Sequence, residues 1–205
     1  MESRRYRGSL ISFASLLLPA SRRLIIIEEI LESLKVTFLP LVRSTFDVAF
    51  AEQMINAARE SLITNGFGLE EPEQPINDLA VAQQTAIRFA EASIDLLLIF
   101  QATFADSTMV TELAQSIDAP LCLRVVPEAW TGERLRLNSL CGINLAGHAL
   151  KLRNHQYTYA YALPDDTETL KKIHNVAMVG SLQRFTEENF HIGPHKAYQN
   201  ARDAS

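Results

Sequence analysis

Residues 94–126 read IDLLLIFQATFADSTMVTELAQSIDAPLCLRVV, and this stretch decides the fold class. IDLLLIFQ is an unbroken apolar run of strand length, the pattern of a strand covered on both faces in a parallel sheet. Asp106, Ser107 and Thr108 follow as candidate helix caps. DSTMVTELAQSI then reads as a helix, and APLCLRVV as the next strand. Two parallel strands joined by a crossover helix make a right-handed unit.

The alternation extends in both directions. KVTFLPLV is a short β-rich apolar run. RSTFDVAFAEQMINAARESLITNGFG after it has Ser44 or Thr45 as cap and Asp47 in the first turn. Its apolar residues recur at Val48, Met54, Ile55, Ala58 and Leu62, and Asn65-Gly66 stops it. GLEEPEQPIN reads as a loop. NDLAVAQQTAIRFAEAS reads as a helix capped by Asn77 or Asp78, and PEAWTGERLRLN as a long loop with the only tryptophan. NSLCGINLAGHALKLRN is helical, and HQYTYAYAL alternates like a strand with one wet face. DDTETLKKIHNVAMVGSLQRF is a last helix with Asp165, Asp166 and Glu168 in its first turn, where they favour the helix dipole. Strands alternating with helices predict an α/β fold with a mostly parallel sheet. Ligands of such sheets bind beyond the carboxyl ends of the strands. The candidate rim is therefore Pro40 to Thr45, Gln101 to Asp106, and Pro127 to Asn138.

With 47% hydrophobic and 21% charged residues among 205, the chain can bury a sizeable core. A net charge of -5 gives no footprint for nucleic acid. Arg4, Arg5, Arg7, Arg22 and Arg23 cluster in the N-terminal segment. That segment imitates a secretory signal, with a basic start and an apolar run from Leu10 to Leu18. The run falls short of the roughly 20 residues that span a bilayer, so no membrane partner is expected. Residues 1–34 are read as a partly helical or disordered extension, 35–185 as the domain, and 186–205 as a loose tail that has lost periodicity. Cys122 and Cys141 are expected as reduced, semi-buried thiols of a cytoplasmic protein.

No glycine-rich phosphate loop follows the first strand. Polar chemistry would fall to other groups. Gln101 and Thr103, just past a buried strand, suit a polyhydroxylated ligand; a capped helix start explains them equally well. Glu128 and Trp130 share a loop with Arg134 and Arg136, and an aromatic there could stack on a sugar face; the plainer reading is a surface loop. Projected as a helix, Leu140, Ile143, Gly147 and Leu150 take one side, and Ser139, Gly142, Ala146 and Ala149 form a small-residue stripe. Asn138, Cys141, Asn144 and His148 form a polar row, interrupted by Leu145. That row reads as a site-facing set of hydrogen-bonding groups at the helix start; the plainer reading is close packing of the small stripe against the sheet or another helix, with a satisfied histidine, and the two are compatible. Asn138 is also a candidate cap. His191 and His195, in HIGPH, are read as adventitious, because Gly193-Pro194 prevents a helical pair.

Three stretches together resemble the N-terminal part of the L-fucose isomerase and L-arabinose isomerase superfamily, nearest to its fucose isomerase-like proteins. They are KVTFLPLVRSTFDVAFAE, LLLIFQATFADSTMVTELAQSIDAPLCLRVVPE and TGERLRLNSLCGINLAGHAL. The resemblance covers roughly residues 35 to 180. It implies a Rossmann/flavodoxin-like three-layer domain that serves substrate recognition, often across a subunit interface of a homo-oligomer. It also implies aldose–ketose interconversion of an L-fucose or L-arabinose type monosaccharide, with manganese polarising the sugar oxygens. Such an ion wants carboxylate and imidazole ligands. In the family these lie in later domains of much longer chains, and nothing here matches them. The chain is thus expected to be a fragment with no turnover of its own; the alternative is a non-catalytic sugar- or partner-binding module. Gln101, Thr103, Glu128, Trp130, Asn138, Asn144 and His148 are the candidate substrate-binding residues. No residue is assigned catalysis or metal ligation.

Overall fold

Five strands pair side by side in a computed structural model that describes residues 34–128, 132 and 134–190. They are β1 Leu34–Leu41, β2 Phe67–Glu70, β3 Leu96–Gln101, β4 Leu121–Val125 and β5 Thr158–Tyr161. All pairs are parallel, and the order is β2-β1-β3-β4-β5. This is the doubly wound, flavodoxin-like order, with its reversal between β1 and β3.

The helices are α1 Val48–Thr64, α2 Leu79–Phe89, α3 Ser107–Ser116, α4 Ser139–Leu152 and α5 Thr167–Phe190. Helices α2, α3 and α4 cover one face, burying Ala86, Phe89, Met109, Leu113, Ile143 and Leu150 against Leu39, Leu97, Ile99 and Leu123. Helices α1 and α5 cover the other, with Ile55, Leu62, Leu170 and Ile173 against Phe38, Leu98, Phe100 and Cys122. Cover on both sides explains why every residue of β3 is buried. Each of its apolar side chains contributes roughly 1.5–3 kcal/mol by leaving water.

Several boundaries differ from the sequence reading. Strand β2 lies in FGLE, at the start of what reads as a loop. It is short, at the sheet edge and mostly half-exposed, so it carries no apolar run. The cap of α1 is Asp47, not Ser44 or Thr45: its carboxylate accepts the Phe50 N–H at 2.9 Å. Helix α5 continues to Phe190, past the point where the periodicity fades. The two thiols are free and unlike each other: Cys122 is buried and Cys141 exposed. Burial pushes the Cys122 thiol up to about 12. Residues 1–33 and 191–205, with His191 and His195, lie outside the described residues.

Pro40, inside a central strand, needs an explanation because proline removes a ladder donor. By the alternation of the ladder its missing N–H falls on the β2 side, and β2 pairs with β1 only as far as Thr37. The Pro40 carbonyl still accepts from the Ile76 N–H at 2.8 Å. At the opposite end of the sheet α5 passes close to the start of β3. A Cβ at Gly180 would collide with the Asp95 carbonyl. Arg184 pairs with the buried Asp95 carboxylate at 2.9 Å, and the same carboxylate accepts the Lys35 N–H at 2.8 Å.

Candidate functional site

The three loops leaving β1, β3 and β4 meet at the carboxyl edge, where the sequence pointed. Three hydrogen bonds join them. The Arg43 N–H donates to the Thr103 hydroxyl at 2.8 Å. The Phe104 N–H donates to the Leu137 carbonyl at 2.7 Å, and the Asp47 N–H to the Arg136 carbonyl at 3.1 Å.

Side chains reinforce the same joints. Arg136 pairs with Asp47 at 2.8 Å and lies over the Phe50 ring at 4.0 Å. Arg134 lies over Phe46 at 5.5 Å, and Phe46 packs against Phe104. The Asp47 carboxyl is held below its ordinary value by the Phe50 N–H first, then by Arg136. The Asp106 side chain caps α3 by accepting the Thr108 N–H at 2.9 Å, and that bond likewise lowers its carboxyl. The sequence reading missed Asp47, Phe46 and Phe50 as members of this layer. Their partners are far away in the chain, so no local pattern marks them.

The candidate residues divide into three settings. Gln101 and Thr103 are wholly buried. The Thr103 hydroxyl is occupied, accepting from Arg43 and donating to the Phe104 carbonyl at 3.2 Å. The Gln101 amide has no partner at either atom. Glu128 and Asn138 meet at the start of α4. The Glu128 carboxylate accepts from the Leu137 N–H and, at 3.2 Å, the Asn138 N–H. A carboxylate there also favours the helix dipole. Asn138 makes no side-chain cap; it adopts a left-handed conformation with φ of 52°. Glu128 thus anchors the two residues that lead into α4, while Asn138 holds the cap position without a side-chain cap bond. Asn144 and His148 lie on the exposed face of α4 with Cys141. Trp130 lies outside the described residues.

The packing of α4 follows its small residues. Ser139, Gly142, Ile143, Ala146, Gly147 and Leu150 are buried. Leu140, projected onto the apolar side, is instead 46% exposed, and Ala149 is half-buried. The buried stripe is the one centred on Gly142 and Ala146, because the helix sits too close to β3 for larger side chains.

A manganese ion needs several carboxylate or imidazole donors converging on one point. Among the described residues no group of three or more His, Cys, Asp or Glu side chains is so placed. The described residues therefore offer no set of donors that fits the metal. Among the described residues no helix is long and apolar enough to cross a membrane.

Residues 38–183 match the family described as fucose/sulfoquinovose isomerase, N-terminal domain. The chain is similar to sulfoquinovose isomerases of Priestia aryabhattai and Priestia megaterium, each 29% identical over 136 residues, 66% of this chain and 30% of theirs. The sulfoquinovose isomerase of Alkalicoccus urumqiensis is 26% identical over 142 residues, 68% of this chain and 31% of its own. The chain thus spans just under a third of the length of these relatives.

Proposed function

Because this chain belongs to the N-terminal domain family of the fucose and sulfoquinovose isomerases, we propose that it recognises a monosaccharide for aldose–ketose isomerisation and does no chemistry itself. The observation that carries this reading is the family match over 38–183, which includes all three rim loops. The Gln101 amide and the joined loops above it support a role in holding a polyhydroxylated ligand. The metal, manganese in this reading, and the groups that move the proton between sugar carbons belong to other domains. Sulfoquinovose, named for the relatives, is the first candidate sugar, ahead of L-fucose and L-arabinose. In the assembled enzyme the rim would face the metal-bearing part, within one chain or across a homo-oligomer contact.

The test is a titration of the chain with each sugar, beside an assay for ketose formation with manganese added. Weak, saturable binding of at least one sugar without turnover is the expected result. Ketose formation would show that a metal site has been missed, and binding of no sugar would remove the recognition role.

A further inference from the structure

Gln101 is wholly buried, yet neither its Oε1 nor its Nε2 has a hydrogen-bond partner. An unsatisfied buried polar group is costly, and native structures keep few without a reason. Arg124, the other large buried polar side chain with unpartnered atoms, has a structural task. Its Nη2 donates to the carbonyls of Pro164 at 2.7 Å and Leu163 at 3.3 Å, pinning the segment between β5 and α5. Gln101 has no comparable task.

Its position is the second observation. Gln101 ends β3 and lies in register with Leu41 at the end of β1. The chain runs from β1 outward to β2 and then crosses back to β3. Ligands of open parallel sheets lodge at this reversal.

The third observation is on the neighbouring helix. A Cβ at Gly142 would lie 2.5 Å from the Gln101 Oε1 and 3.3 Å from the Ala105 nitrogen. The first turn of α4 lacks a side chain at the point where the amide rests, so the amide is accommodated and not merely squeezed out of solvent.

We propose that Gln101 is the specificity-determining residue of this rim: its carbonyl accepts from, and its amide donates to, hydroxyls of a monosaccharide. One acceptor beside one donor matches neighbouring hydroxyls, each of which can give and take a proton; a phosphate or carboxylate would leave the Gln101 carbonyl unanswered. The proposal rests on the recognition role given above. Contact requires the loop between β3 and α3 to part from α4, where the Phe104 N–H holds the Leu137 carbonyl.

The experiment follows the Gln101 side-chain NH₂ resonances of the labelled chain during titration with sulfoquinovose and, separately, L-fucose. Thermal melting is recorded for the same protein and for Gln101→Met, which keeps the length and removes both polar atoms. The expected result is a sugar-dependent shift of the Gln101 NH₂, with Gln101→Met melting no lower than the parent and binding at least tenfold more weakly. A variant that binds as the parent does overturns the proposal while leaving the recognition role intact. A variant that melts several degrees lower also overturns it, since the amide would then be structural. A parent chain that binds neither sugar overturns both readings together.

Discussion

At position 142 alanine would ordinarily strengthen a helix by about 1 kcal/mol over glycine. Here the added methyl would meet the buried Gln101 amide and the Ala105 backbone. Overpacking of this kind costs about 1–3 kcal/mol, so Gly142→Ala is expected to destabilise by roughly 1 kcal/mol net, lowering the melting temperature by about 2–4 °C. A higher melting temperature would mean that the amide moves aside freely. The stripe around Gly142 was legible in the sequence as a close approach; the atom it approaches was not. Asn138 does hold the cap position that its side-chain type suits, but its left-handed backbone makes no side-chain cap bond, and Glu128 from an earlier segment accepts the Leu137 and Asn138 N–H groups just before the helix. The Asp47–Arg136 pair was illegible. Its members belong to loops after different strands, and only the sheet order brings them together.

Among the elements, the strands with continuous apolar runs declared themselves, and the edge strand β2 did not. Its four residues are covered on one side only in part. The opposite edge, β5, shows how such a border is kept safe. By alternation with Ala162, whose N–H faces β4, the Tyr159 carbonyl points away from the sheet. Lys172 reaches from α5 and donates to that carbonyl at 2.6 Å, with its ammonium 5.0 Å from the Tyr159 ring centre. A lysine on an edge blocks pairing with another strand. Tyr159 and Tyr161 are otherwise exposed there. Lys172→Ala should therefore increase self-association at high protein concentration, measured by sedimentation velocity. Unchanged sedimentation would show that the edge is protected by other means.

For the molecule as a whole, acid should act through the helix starts. Asp47, Asp106 and Asp166 all sit below their ordinary value of 3.8. The leading causes are the Phe50 N–H, the Thr108 N–H and, for Asp166, the Thr169 side chain followed by its N–H. A carboxyl with a lowered folded value contributes stability that is complete above its unfolded value and disappears as pH falls through the folded one. Urea midpoints are thus expected to stay level down to about pH 4 and to drop below it. Replacing all three aspartates by asparagine should flatten that drop; an equally steep fall in the triple variant would place the acid sensitivity elsewhere. The α/β class was legible at this scale because it depends on alternation, whereas the flavodoxin-like arrangement came only with the family resemblance. The candidate rim was only partly so, because burial decided which polar groups face the interior, and burial depends on the finished sheet.

The path of α5 has a consequence for synthesis. The sheet is complete once Tyr161 has been made, with α2, α3 and α4 already available for one side. The other side, with Phe38, Phe100 and Cys122, waits for α5, made after all five strands, to join α1. A nascent chain therefore passes through an interval in which its sheet is finished but one side is still incompletely covered. A chain stopped at Asp166 should therefore bind a hydrophobic dye that a chain carrying α5 excludes. Gly180 matters most at the end of that interval. Without a side chain there, α5 can settle against Asp95.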